Sequence, residues 1–256
     1  LVRSGAIWED STIQPSKVCS LSNLFTTFWA RTFFCGSQRT TYTAEYQNHI
    51  KEFTSAIDKN SFDRIIIFGG DGTINEVVNG LYYSNKLHIF DIGIIPTGSG
   101  NSVAHDINAL DLDDAIKICA GNNVVKMDVN EVDFDNFSQL SVSVLGWGMF
   151  SFGNIRAEKL RFLGPVRYDV ASVITLLEKK MHTAEITIDG TSKSLTCAFI
   201  VGCNSVYTGK GMMVAPNGGF FDKKIELVTV KTMLPECRLP MFLRKSIREH
   251  ISSCPL

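Results

Sequence analysis

Hydrophobic and polar positions change period along the chain, and each change marks an element. Residues 65–68, Ile-Ile-Ile-Phe, form an unbroken apolar run of strand length, the pattern of a strand buried on both faces. Gly69 and Gly70 break it, and Ile74, Val77, Val78 and Leu81 then recur at helical spacing, which predicts a helix over residues 73–81. The unit repeats, with a strand over 89–95, a stop at Pro96, and a helix over 102–108 carrying Val103, Ala104 and Ile107 on one face. An amphipathic helix is expected upstream over 46–57, and another downstream over 111–120 with Ala115, Ile116 and Ile118 among charges. Such alternation predicts a parallel sheet covered by helices on both faces. After Val124 the runs become strand-like, over 140–145, 184–188, 195–201 and 225–230, with one helix near 166–179. The chain therefore reads as α/β with two domains. A three-layer, Rossmann-like domain spans 40–126, a β-rich domain spans 127–256, and 1–39 stay unassigned.

Both strand-to-helix junctions carry glycine turns, Gly69-Gly70-Asp71-Gly72-Thr73 and Thr97-Gly98-Ser99-Gly100-Asn101. Glycines let backbone N–H groups approach an anion, and a helix N-terminus adds its positive dipole end, so such a turn can hold phosphate. Two of them place two helix N-termini on one edge of a parallel sheet, where α/β proteins bind ligands. Asp71 would repel a phosphate unless it holds a metal or takes a proton, and that combination points to phosphoryl transfer. The plainer reading makes Asp71 a turn residue capping its helix.

GGDGTINEVVNGL followed by GIIPTGSGN resembles the catalytic domain shared by diacylglycerol, sphingosine (long-chain base) and ceramide kinases. The resemblance runs from about Thr40 to about Leu234. WGMFSFGNIRAEKLRFLGPVRYD is similar to the E-K-x-R-x-x-G-x-x-R segment of sphingosine and ceramide kinases, and TGKGMMVAPNGGFFDKKIELVTV resembles a strand pair of diacylglycerol kinases. It implies a β-sandwich-like second domain carrying the lipid cleft, with ATP and Mg²⁺ as cofactors. It also implies Asp71 as the base that deprotonates the lipid hydroxyl. Gly69, Gly70, Gly72, Thr73, Thr97, Gly98, Ser99, Gly100 and Asn101 would contact the nucleotide. Thr43 would stand near the ribose, Glu76 would contact nucleotide or remain a solvated first-turn carboxylate, and Arg161 and Arg167 would contact ATP. Asn154 and Phe152 stand where sphingosine kinases carry two aspartates, which makes Asn154 the candidate head-group residue and brings neutral lipids close behind sphingoid bases. Asp128 is expected to be structural, and Asp222 takes the place of one family aspartate. NAD kinase and phosphofructokinase share a GGDG turn but not the PTGSGN and EKLRFLGPVR segments.

Composition narrows this further. A net charge of −1 over 256 residues argues against a nucleic-acid protein. Seven cysteines form no CxxC pair, and they read as thiols in a reducing compartment. The five histidines show no triad or ligand spacing, and Mg²⁺ is expected to be held by ATP and water, with no protein metal cage. No apolar run approaches the roughly 18 residues of a bilayer span, so the expectation is a cytoplasmic enzyme acting on lipid at a membrane surface, of unknown oligomeric state. The chain begins at Leu1 and shows neither the N-P-x-S-G nor the D-G-E segment of the family. A fragment or processed product is therefore expected, with weak ATP binding and an open sheet edge beside residues 65–68 unless 1–39 cover it. A catalytically impaired regulator is the non-enzymatic alternative.

Overall fold

A parallel sheet organises the first half of the protein. The computed structural model describes residues 17–23, 38–178, 180–209, 211–230 and 250–252. Strands β1 (Lys17–Asn23), β2 (Gln38–Ala44), β3 (Arg64–Gly69) and β4 (Asp91–Pro96) lie in the order β2-β1-β3-β4, and every neighbouring pair is parallel. The helices are α1 (His49–Ala56), α2 (Asp71–Tyr83), α3 (Ser102–Asp106) and α4 (Leu112–Ala120). Alternate residues of β3 face opposite ways. Ile65 and Ile67 pack with Ile50 of α1 and Ile74, Val77 and Leu81 of α2, while Ile66 and Phe68 pack with Ile116 and Cys119 of α4. A sheet apolar on both faces needs a helix layer on each, and the three layers follow. Helices α1 and α2 approach closely at Gly80, where a Cβ would lie 1.9 Å from Thr54 Oγ1.

The edge expected to be open is paired. Strand β1 runs along β3 with Cys19 opposite Ile65 and Leu21 opposite Ile67, and Leu21 is fully buried. Ser20 and Ser22 interrupt its apolar residues, which is why periodicity left it unassigned. The expectations for residues 1–16 and 24–37 lie outside the described residues.

The chain divides into two compact units. The first holds the described residues up to Ser143 together with Ser205–Met213 and Gly219–Asp222, and the second holds Val144–Asn204, Val214–Gly218 and the described residues from Lys223 onward. The division falls later than the change of period near residue 126 because β5 (Asn130–Phe134) and β6 (Phe137–Ser141) stay with the first unit. Buried Asn79 of α2 anchors that hairpin. Its Nδ2 donates to the Leu140 carbonyl at 2.8 Å and its Oδ1 accepts the Leu140 N–H at 2.8 Å.

In the second unit, β7 (Val144–Gly148), β10 (Phe199–Cys203), β13 (Lys224–Val230) and β14 (His250–Ser252) form an antiparallel sheet in the order β14-β13-β10-β7. Strands β8 (His182–Ile188) and β9 (Thr191–Cys197) form a separate hairpin. Val201, Cys203, Ala215 and Val228 make a small core. Two expected strands are each two: 140–145 splits between β6 and β7, and 195–201 between β9 and β10. The single expected helix is α6 (Arg167–Leu177), preceded by an unexpected α5 (Met149–Lys159) and a 3₁₀ turn over Arg161–Val166. Helix α5 leaves Phe152 and Ile155 exposed, so it lacks the one-sided apolar stripe that betrays a helix.

Candidate functional site

The two glycine turns meet at the C-terminal ends of β3 and β4. The Thr97 N–H donates to the Gly69 carbonyl at 3.1 Å. A Cβ on Gly98 would lie 2.4 Å from Gly70 Cα, so the two backbones touch where a side chain would stand, and one on Gly69 would lie 2.6 Å from the Thr73 side chain. Asn101, at a left-handed φ of 53°, closes the second turn. Its Oδ1 accepts the Gly98 N–H at 3.0 Å and its Nδ2 donates to the Gly98 carbonyl at 2.8 Å.

Asp71 is the first residue of α2, not the apex of a turn. Its Oδ2 accepts the Ser102 N–H at 3.0 Å and its Oδ1 accepts the Val103 N–H at 3.1 Å. These belong to the first turn of α3, whose N–H groups have no partner within the helix. Asp71 therefore caps the neighbouring helix, not its own. Of the two helix N-termini expected to face a ligand, that of α3 is occupied by a protein carboxylate. That of α2 is open: Gly70 is its N-cap, no side chain caps it among the described residues, and nothing lies within 4 Å of a Cβ on Gly72. Each Asp71 oxygen has a lone pair beyond the one N–H it accepts, so the group is oriented yet able to take a proton.

A further segment reaches this site, one that the resemblance marks as part of a strand pair without placing it here. Strands β11 (Tyr207–Thr208) and β12 (Met212–Met213) form a hairpin of the first unit. Asp106, the last residue of α3, accepts the Val206 N–H at 2.8 Å and the Tyr207 N–H at 3.2 Å. Burial pushes the Asp106 carboxyl above its ordinary 3.8, against the lowering effect of those two N–H groups. The His105 ring lies 4.9 Å from the Tyr207 ring, and Gly211, at φ 73°, has room for no Cβ because one would stand 2.9 Å from His105. A Cβ on Gly100 would sit 3.3 Å from Asp71 Oδ2 and 3.4 Å from Gly209 Cα. Neither His105 nor Asp106 belongs to a motif, and a polar pair ending a five-residue helix carries no periodic signal.

The remaining expected residues are spread more widely. Thr97 and Ser99 are exposed on the second turn. Thr43 of β2 lines a small cleft with Tyr42, His49, Ile50 and Phe53. Glu76 of α2 accepts the Asn48 N–H at 3.2 Å, which fastens the entrance of α1. The Asp128 N–H donates to the Phe220 carbonyl at 2.7 Å. Arg167 opens α6, and its Nη2 stands 3.6 Å from Glu158 Oε1. Asn154 lies in α5 and Arg161 opens the 3₁₀ turn, and both side chains lie outside the described residues. Among the described residues no group of three His, Cys, Asp or Glu side chains is arranged to hold a metal. The open α2 N-terminus and the glycine backbones beside it fit a phosphate chain.

Two stretches of the chain are similar to known domains. Residues 30–132 match the diacylglycerol kinase catalytic domain, and residues 143–246 match the YegS C-terminal NAD kinase beta sandwich-like domain. The two glycine turns lie within the stretch that is similar to the diacylglycerol kinase catalytic domain. Sphingosine kinase 2 of Arabidopsis thaliana is 33% identical to this chain over 155 residues, 56% of this chain and 31% of that protein. Ceramide kinase of Mus musculus is 30% identical over 161 residues, 56% of this chain and 30% of that protein. The chain thus spans about a third of the length of these two relatives. A solved diacylglycerol kinase structure from Bacillus anthracis shares the fold, with a TM-score of 0.66 at 22% identity, over 86% of this chain and 75% of that one. Among the described residues of this chain, no helix is long and apolar enough to cross a membrane.

Proposed function

We propose that this chain is the catalytic part of an ATP-dependent lipid kinase that phosphorylates a primary hydroxyl, on a sphingoid base first and on ceramide or diacylglycerol as the alternatives. The observation that carries the reading is Asp71, a carboxylate held by two N–H groups beside an open helix N-terminus and two touching glycine turns. Phosphoryl transfer needs alignment and charge neutralisation more than covalent chemistry from the protein. The glycine backbones and the first turn of α2 bind and align the phosphates. Asp71 accepts the proton of the lipid hydroxyl as the oxygen attacks, and its two N–H partners keep it aimed. Arg161 and Arg167 neutralise the transferring oxygens, a task for which guanidinium forks suit. Bound ATP with Mg²⁺ supplies the phosphoryl group and part of that neutralisation, so excess EDTA should abolish turnover.

Substrate choice turns on Asn154. An ionised aspartate favours a cationic sphingoid amine through a charge-assisted hydrogen bond, and a neutral asparagine does not. The likeness to a sphingosine kinase supports the sphingoid reading, and the ceramide kinase relative supports the neutral-lipid alternative. The enzyme would act at a membrane surface from the cytoplasmic side. The test is radiolabelled ATP with a panel of sphingosine, ceramide, diacylglycerol and monoacylglycerol. Labelled product from one of these assigns the substrate. ATP binding with no labelled lipid would replace the catalyst with a regulator.

A further inference from the structure

Three side chains that the proposed chemistry does not use, His105, Asp106 and Ser205, converge on one short hairpin. Ser205 is almost fully buried. Its hydroxyl lies 2.8 Å from that of Ser143 and within 2.8 Å of the Tyr207 carbonyl. The next two N–H groups, of Val206 and Tyr207, both point at the Asp106 carboxylate. His105 covers the same hairpin at Tyr207 and Gly211. The cost of half-burying this carboxylate is offset only in part by its two N–H partners.

The consequence lies in what the hairpin touches. Gly209 packs on Gly100, and Gly100 packs on Asp71. Helix α3 is a strut only five residues long. Its first N–H groups are gripped by Asp71, and its last residue grips the hairpin. Anything that frees the hairpin removes one wall of the second glycine turn and loosens the far end of the helix that orients Asp71. We propose that Asp106 is a positioning residue, which latches the hairpin 207–213 onto the second glycine turn and so sets the affinity of that turn for nucleotide phosphate. The nature of the ligand rests on the lipid-kinase reading above, whereas the latch itself does not.

The test uses Asp106→Ala and Asp106→Asn in the full chain. Asparagine keeps one acceptor and buries no charge, so it serves where alanine does not fold. Three quantities are compared with wild type: amide exchange, the Kd of a fluorescent ATP analogue, and KM for ATP against KM for lipid. The amides of Val206 and Tyr207 should exchange at least about tenfold faster, a change of roughly one factor of ten in a local opening equilibrium. The ATP Kd and KM should rise about tenfold while the lipid KM stays within about twofold, a split that loss of folding alone does not produce. Unchanged exchange overturns the latch. Faster exchange with unchanged ATP affinity reduces Asp106 to a loop fastener and overturns the positioning role. A wild-type chain that binds no ATP overturns the lipid-kinase reading and the nucleotide half of this inference, and faster exchange in the variants would then still support the latch.

Discussion

Asp71 carries two duties that substitution can separate. As the base, it should lose about 10²-fold or more in turnover when changed to asparagine. As a cap for α3, it also contributes to the fold, which the sequence did not lead one to expect. Asp71→Ala removes both acceptors of Ser102 and Val103 and should cost about 0.5–2 kcal/mol by denaturant titration. Asp71→Asn keeps one oxygen and should cost less, so a large kinetic loss at small stability loss marks the base. Asp106 makes a different prediction. Burial raises its carboxyl above the ordinary 3.8, with a smaller contribution from the charge of Asp71. The folded protein thus holds that proton more tightly than the unfolded chain, and the stability gained is complete below 3.8 and lost as pH rises through the raised value. Wild type should lose thermal stability relative to Asp106→Asn as pH rises from below 3.8 to neutrality, and a pH-independent difference in Tm would remove the effect. Cys203 is simpler: burial, helped by Glu226, pushes its thiol up to about 12. The native protein should therefore leave it unalkylated by iodoacetamide at neutral pH, since only the thiolate reacts.

The glycine turns are where elements and chemistry coincide, and their glycines are not equivalent. Gly98→Ala would push a Cβ to 2.4 Å from the Gly70 backbone, so the turns must part. A stability loss of about 1–3 kcal/mol is expected, together with loss of ATP binding. Gly72→Ala meets open space in the first turn of α2. It should leave the fold unchanged or stabilise it by about 0.4–1 kcal/mol, and any loss of ATP affinity there would locate the ligand beside Gly72. Thermal denaturation and nucleotide titration of the two variants check both statements. This pair also shows what the sequence could reveal. The apolar runs of β3 and β4 and the glycines after them are local signals, and the sheet, its two helix layers and the turns were legible from them. The capping of α3 by Asp71 and the grip of Asp106 on Val206 are contacts across 31 and 100 positions of sequence, and no local pattern encodes them. Strand β1, with alternate serines, and helix α5, with exposed Phe152 and Ile155, escaped for a related reason. Each lacks the clean periodicity that burial on one face imposes.

At the scale of the whole molecule, the two units do not correspond to two consecutive stretches of chain. The first unit is completed by Ser205–Met213 and Gly219–Asp222, long after the chain has left it at Ser143. Phe220, among the largest fully buried side chains, belongs to its main core with Leu140 and Val142. Phe220→Ala should cost about 3–5 kcal/mol, read as a fall in the denaturation midpoint. During synthesis the parallel sheet and its helices emerge first but lack that core residue and the hairpin over the second glycine turn. At roughly 5–20 residues per second, the ribosome takes several seconds more to deliver them. Through that interval the nascent chain carries an unfilled apolar gap and a half-built phosphate turn, a state that invites chaperones and that no early-released fragment can leave.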